Sequence, residues 1–220
     1  MKPDSNAAEN TDIVTSIAVY PLESVLLLPG GYLSLRILEP RYIQLVEDSL
    51  TKNRLIGIIQ FLPDQETVTK KALYEIGSLA RIISFSEEKD GSVKISLQGI
   101  CRFRREKEIE CDKPYQCFAI TPYRNDFYEE DNESASHREA LLDAFSDYFD
   151  ANNLEADWEV LVQAPMKTLV NGLSSHAPFN TKEKQALLEA PDLKNRAQIL
   201  IALAERFILA QNGINATDLQ

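Results

Sequence analysis

Ser78-Leu79-Ala80-Arg81-Ile82-Ile83-Ser84-Phe85-Ser86, then Glu87-Glu88-Lys89-Asp90-Gly91, then Ser92-Val93-Lys94-Ile95-Ser96-Leu97-Gln98 is the stretch on which the fold turns. Two β-type segments flank a short polar loop, and its Asp-Gly pair suits the positive φ that a hairpin turn demands. A β-hairpin is therefore predicted, and its neighbours extend the pattern in both directions. Downstream, Cys101 to Glu110 and Tyr115 to Tyr123 carry β-type residues on either side of Asp112-Lys113-Pro114. Upstream, Leu55 to Phe61 reads as a buried strand, and the polar stretch Pro63 to Lys71 reads as a surface loop leading to Tyr74-Glu75-Ile76-Gly77. Tyr32 to Ile37 places Leu33, Leu35 and Ile37 on one side, and Ser16 to Pro21 is a short extended entry. Between them, Glu39-Pro40 opens a helix to about Lys52, with proline where its missing N–H costs least. Six or seven mostly antiparallel strands with one inserted helix and no βαβ rhythm point to a sheet closed into a barrel.

The second half reads differently. Ser136 and Glu139 form a capping box for a helix over His137 to Asp150, with Leu141, Leu142, Phe145, Tyr148 and Phe149 inward. Trp158, Leu161, Val162, Met166, Leu169, Val170 and Leu173 keep the helical period across Pro165, which must kink the helix or start another. Asn180 with Glu183 opens a further helix, and Asp192 caps a last one ending near Gly213. The expected fold class is α+β, with an antiparallel or mixed β pseudo-barrel followed by a helical bundle of four or five helices. The expected boundaries are an amino-terminal tail at 1–12, the β-rich part at 13–124, an acidic linker at 125–136, the bundle at 137–213 and a tail at 214–220.

Charge separates the halves as well. Residues 1 to 125 hold 16 basic and 17 acidic groups, whereas residues 126 to 220 hold 7 and 17, so the net charge of −11 sits almost wholly in the second half. Asp126 to Glu159 alone contains twelve carboxylates against Arg138, a field that repels phosphate backbones. No apolar run approaches the roughly 20 residues that cross a bilayer, and residues 1 to 12 lack the apolar run of a signal peptide. A cytoplasmic protein without a membrane partner is expected.

Motifs that would carry chemistry are mostly absent. None of the eight glycines precedes a lysine, so no Gly-Lys-Ser/Thr phosphate loop exists, and Gly172-Leu173-Ser174-Ser175-His176 is not a nucleophile elbow. Cys101, Cys111 and Cys117 form no CxxC pair and read as reduced thiols packed beside strands; no metal or cofactor is expected. His137 and His176 read as ordinary surface or partly packed residues. A serine and lysine acting together need no histidine and stay open to a turnover screen. The basic cluster Arg102-Phe103-Arg104-Arg105 interleaves an aromatic residue as RNA-binding strands do, which makes Arg102 and Arg104 candidates for RNA contact. Against this, Glu106, Glu108 and Glu110 follow at once.

Tyr20-Pro21-Leu22 with Leu28-Pro29-Gly30, then Leu35-Arg36-Ile37-Leu38-Glu39-Pro40-Arg41-Tyr42, resemble the opening of the Lon amino-terminal domain family. Leu73 to Ile82, the Asp90-Gly91 hairpin, Leu97-Gln98-Gly99 with Arg102-Phe103-Arg104, and Pro114-Tyr115 follow in that family's order. In the second half Asp157-Trp158, Ala164-Pro165, Leu169-Val170-Asn171 and Glu183 to Asp192 resemble stand-alone bacterial members that lack the ATPase and protease domains. The resemblance implies a PUA-like barrel, then a bundle, and a substrate-recognition role without catalysis. Its expected partners are unfolded or exposed peptide segments and, as an adaptor, a proteolytic machine. RNA binding by a PUA-like barrel is the alternative. The peptide-binding candidates are Leu26, Leu28, Pro29 and Tyr32, with Glu39, Arg41 and Tyr42 as a second group. Leu26 to Gly31 reads as core ahead of an exposed docking lip, and Glu39 with Arg41 as an internal ion pair on a helix packed against the barrel ahead of ligand contact.

Overall fold

The computed structural model of the protein describes residues 14–67, 70–128 and 135–211. The chain divides into two compact units, the first reaching Tyr128 and taking in Asn180–Lys182, the second holding the remainder. The expected tails at 1–12 and 214–220 lie outside the described residues.

The first unit contains, among the described residues, β1 (Ser16–Leu22), β2 (Tyr32–Ile37), helix α1 (Pro40–Leu50), β3 (Leu55–Thr67), β4 (Lys70–Leu73), β5 (Ile76–Glu87), β6 (Val93–Ile109) and β7 (Cys117–Pro122). The strand order β1-β7-β6-β5-β3 closes on itself, because β3 also pairs with β1. That closing seam is parallel, Val19 to Leu22 against Gly57 to Gln60, while the other pairings are antiparallel. β2 lies outside the ring, on the first half of β6. The pseudo-barrel of an α+β protein is thus formed.

The seven-residue apolar character of Leu55 to Phe61 follows from burial on both sides of β3. Leu55 and Ile59 face an interior cluster with Ile17, Val19, Leu79, Phe103 and Phe118. Ile56 and Ile58 face a second cluster built on Tyr42, Leu45 and Val46 of α1. Strands covered on both faces carry continuous apolar runs, not alternating ones. The interior is filled by the fully buried Phe103 ring, whose Cζ lies only 3.2 Å from where a side chain on Gly57 would begin.

The hairpin forms where Asp90-Gly91 placed it. Gly91 has φ 81°, its N–H donates to Glu88 O at 3.0 Å, and Asp90 Oδ1 accepts from Ser92 N–H at 3.1 Å and from Ser92 Oγ–H at 2.6 Å. Arg36 of β2 pairs with Asp90 and donates to Ser92 Oγ at 3.0 Å, tying the turn to the neighbouring strand.

Three expectations need correction. Within Pro63 to Lys71, expected as a loop, the described residues are strand, since β3 runs to Thr67 and pairs with β4, Glu66 opposite Lys71; a polar ribbon held by backbone bonds carries no hydrophobic signal. The strands expected up to Gln98 and from Cys101 are one strand, β6, which passes a bulge where Gly99 opposes Ala80 and Cys101 opposes Leu79. Asn125 to Phe127, expected as the start of the acidic linker, belong to a 3₁₀ turn over Arg124–Phe127 with Asp126 buried, and residues 129–134 of that linker lie outside the described residues.

Five helices follow among the described residues, α2 (Ala135–Ala151), α3 (Trp158–Gln163), α4 (Met166–His176), α5 (Thr181–Glu189) and α6 (Leu193–Gln211), all in the second unit except the first two residues of α5. Pro165 separates α3 from α4, as its missing N–H requires. Asp157 accepts from Val160 N–H at 3.2 Å and Asp192 from Asn195 N–H at 2.8 Å, so both are N-caps. α2 takes in Ser136, which is therefore not its N-cap. Leu141, Phe145, Tyr148, Leu169, Val170, Leu188 and Leu200 form the buried side. Among the described residues no helix is long and apolar enough to cross a membrane.

Candidate functional site

The segment from Leu26 to Gly31 is fastened to the barrel by its backbone. Gly30 N–H donates to Gly99 O and Gly99 N–H donates to Gly31 O, both at 2.9 Å. Leu26, Leu27 and Leu28 are buried, Leu28 completely. Leu26 and Leu28, named as docking candidates, therefore place their side chains in the core, the reading their apolar run favoured. Pro29 is half-buried, and Tyr32 is 68% exposed, its hydroxyl accepting from Gln98 Nε2 at 3.3 Å.

The second group divides in the same way. Glu39 and Arg41 are exposed and pair with each other at 2.7 Å, the internal ion pair that their spacing allowed. Tyr42 is buried, packed on Tyr20 with ring centres 4.5 Å apart and covered by the Arg41 guanidinium at 4.5 Å, so it is no surface contact. Burial raises the hydroxyl pKa of both tyrosines. β2 separates the two groups: six residues at about 3.3 Å each put Tyr32 and Leu38 roughly 20 Å apart. Leu38, 66% exposed beside the Glu39–Arg41 pair, was absent from the candidates, since alternation on β2 gives no hint of its side once the strand has ended.

The basic cluster on β6 is divided between core and surface. Arg102 is buried: its side chain and backbone N–H both bind Asp126, at 2.7 Å for Nη2 to Oδ1 and 2.7 Å for N to Oδ2. Its candidacy for RNA contact is corrected by that internal carboxylate. Arg104 remains on the surface, hydrogen-bonded to Tyr123. Arg105 donates to Tyr74 O at 3.1 Å and lies 5.0 Å from the Phe118 ring centre.

A cleft of about 870 Å³ opens at one end of the barrel, a feature no sequence motif announced. Its walls come from the start of β1, the turn after α1 and the approach to β7. Within it Asp48 accepts from Lys113 Nζ at 2.8 Å and from the Tyr115 hydroxyl at 2.6 Å. These two donors, Lys113 first, hold the Asp48 carboxyl below the usual carboxylate range. Burial, then the bond to Asp48, pushes the Tyr115 hydroxyl up. Cys111 and Cys117 also line the cleft, and burial with a contact from Cys111 pushes the Cys117 thiol up to about 12. Cys101 sits in the core, its thiol likewise raised to about 12 by burial, so neither it nor Cys117 is a ready nucleophile.

The Asp48 bonds carry a pH prediction. A depressed carboxyl stabilises the fold above its unfolded pKa of about 3.9 and loses that contribution as pH falls through its lower folded value. Asp48 is partly solvated, so Asp48→Asn should cost only about 0.5 to 1 kcal/mol at neutral pH. Urea unfolding of both proteins should show this gap closing in acid, and a gap of constant size down to pH near 2 overturns the assignment.

Comparison with known proteins places this geometry. The ATP-dependent protease La (LON) substrate-binding domain family matches over residues 16–206. The Lon protease of Flavobacterium johnsoniae is 28% identical over 202 residues, covering 88% of this chain and 24% of that protein. The chain thus spans about a quarter of the length of the curated relatives it matches. Two solved structures share the fold: a Lon N-terminal domain protein from Xanthomonas campestris (TM-score 0.65, 22% identity) and the N-terminal domain of a Mycobacterium avium complex Lon protease (TM-score 0.64, 16% identity). Each covers 86% of this chain and is itself covered to 98%. With barrel, bundle and family match in agreement, the chain belongs to the Lon substrate-binding domain family.

Proposed function

We propose that this chain is a recognition module that binds exposed or unfolded segments of other proteins, catalyses no reaction itself, and serves cytoplasmic protein quality control as an adaptor for proteolysis. The observation that carries the reading is the family match over residues 16–206, in a sequence that holds no ATPase phosphate loop. A substrate-binding domain contributes recognition, and chemistry has to be supplied by other domains or partners.

The surface that supports this role is the exposed remainder of the candidate set. Tyr32 with Pro29 stands at one end of β2, and Leu38 with Glu39 and Arg41 at the other. An aromatic and an aliphatic side chain standing clear of a rigid sheet suit contact with apolar segments. Titration with a permanently unfolded model protein should show saturable binding that Tyr32→Ala and Leu38→Asp each weaken by about tenfold, a loss of about 1.4 kcal/mol. Binding that both folded variants leave unchanged excludes this surface, and absence of saturable binding by the unaltered protein excludes the recognition role.

A further inference from the structure

The barrel closes incompletely. Its parallel seam pairs Val19 to Leu22 of β1 with Gly57 to Gln60 of β3 and stops there, although β1 continues back to Ser16. On its other edge this first part of β1 is fully paired, Ser16 to Ala18 against Ala119 to Cys117 of β7. Among the described residues, Ser16 to Ala18 form no ladder pair on the seam side, where β3 is only beginning at Leu55, and the 870 Å³ cleft lies there. Barrel mouths are recurrent ligand sites because a rigid ring positions groups around a void.

The charges at this mouth are of one sign once its internal pairs are counted. Asp48 is committed to Lys113 and Tyr115. Lys52, Arg54 and Arg81 border the same space, and neither Arg54 nor Arg81 has an ion-pair partner among the described residues. The sheet directs Arg81 toward the opening, and Arg54 stands exposed at its rim. Arg81 lies opposite Leu55 in the β3–β5 ladder, and cross-strand neighbours share a face, so Arg81 follows the interior residue Leu79 out of the barrel end. Arg54 holds φ 59°, a left-handed conformation that costs an L-residue free energy. It closes the turn that follows α1, its N–H donating to Ser49 O at 2.9 Å and its carbonyl accepting from Ile82 N–H at 2.8 Å. Asparagine or glycine would adopt that turn more readily.

From an unpaired strand edge, an open cleft and two guanidinium groups beside it, we infer that the open end of the β1–β3 seam binds an extended peptide segment carrying acidic side chains. The segment adds to the edge of β1 through its backbone, and its carboxylates meet Arg54 and Arg81. Guanidinium suits this task because its forked donors match a carboxylate's two oxygens. The inference rests on the peptide-binding reading and sharpens it to a class of sequence and a place.

The test uses a fluorescein-labelled peptide alternating valine with glutamate and capped at both ends, a capped version with glutamine for glutamate, and the glutamine version with a free carboxy terminus. Anisotropy titrations of the whole protein should show saturable binding of the glutamate peptide, weakened as salt rises from about 0.05 to 0.5 M. The capped glutamine peptide should bind at least about tenfold more weakly. Arg81→Gln and Arg54→Asn should each weaken the glutamate peptide by about tenfold, and Arg81→Lys by less. Asparagine suits the backbone at position 54, and circular dichroism checks the fold of each variant. Equal binding of both capped peptides, tighter binding of the free-terminus peptide than of the glutamate peptide, or indifference to both arginine substitutions in folded protein overturns the inference. An unfolded protein titrated in parallel separates the two readings: if it binds while the glutamate peptide does not, only the mouth assignment fails, and if neither binds, both fail.

Discussion

Gly99→Ala is expected to unfold the barrel. A Cβ on Gly99 would stand 2.3 Å from the carbonyl oxygen of Leu28 and 3.0 Å from its carbonyl carbon. Both are backbone atoms, so no side-chain rotation relieves the overlap. Either the Leu28 to Gly31 segment lifts away, breaking both hydrogen bonds with Gly99 and pulling Leu27 and Leu28 from the core, or β6 is displaced from its neighbours. The expected loss is on the order of 3 to 5 kcal/mol, the range reached when overpacking and lost buried contacts combine. Urea unfolding followed by circular dichroism measures it. Trp158, the single tryptophan, sits on α3 of the second unit and reports separately whether the bundle survives. A loss below about 1 kcal/mol would show that the Leu28 segment yields freely.

The second large effect belongs to Arg102 and Asp126, whose side chains are 4% and 2% exposed. Asp126 accepts from Arg102 Nε, Nη2 and backbone N–H, so one carboxylate neutralises a buried cation and satisfies a strand N–H as well. The Arg102 guanidinium also lies 5.2 Å from the Tyr123 ring centre. Removing one member leaves the other charged and dry. Asp126→Ala should therefore cost about 3 to 5 kcal/mol, while Arg102→Met combined with Asp126→Leu should cost clearly less than the single change, because a buried ion pair gains little over apolar packing. Urea midpoints of the two single variants and the double variant decide the matter. Additive losses would contradict a dependence of each charge on the other.

These two positions also show what could be read from the sequence and what could not. The hairpin was legible because Asp90-Gly91 is a local signal: the turn's φ and its capping carboxylate lie within a few residues. The helix at Pro40 and the break at Pro165 were legible for the same reason, since proline acts on its own backbone. Leu26 to Leu28 was legible only in part, because an apolar run before two glycines favours core without excluding a docking lip. The deciding contact, with Gly99, lies about seventy residues away. Arg102 misled for a related reason. Its partner sits in a run of carboxylates that reads as solvated linker, and nothing nearby marks Asp126 as the one carboxylate turned inward. The barrel mouth was invisible altogether. Arg54 and Arg81 meet only through the pairing of β3 with β5, and the opening exists only because a parallel seam ends early.

The closing seam also has a consequence in time. β1 is made first, yet its antiparallel partner β7 emerges about a hundred residues later, Ser16 waiting for Ala119. At synthesis rates of about 5 to 20 residues per second, that interval lasts roughly 5 to 20 s. Throughout it the apolar residues Ile17 and Val19 lack the Phe118 and Ile120 that will cover them. The nascent barrel is thus an unsealed strand edge for seconds on the ribosome, where holding chaperones have time to act and slower translation lengthens the exposure.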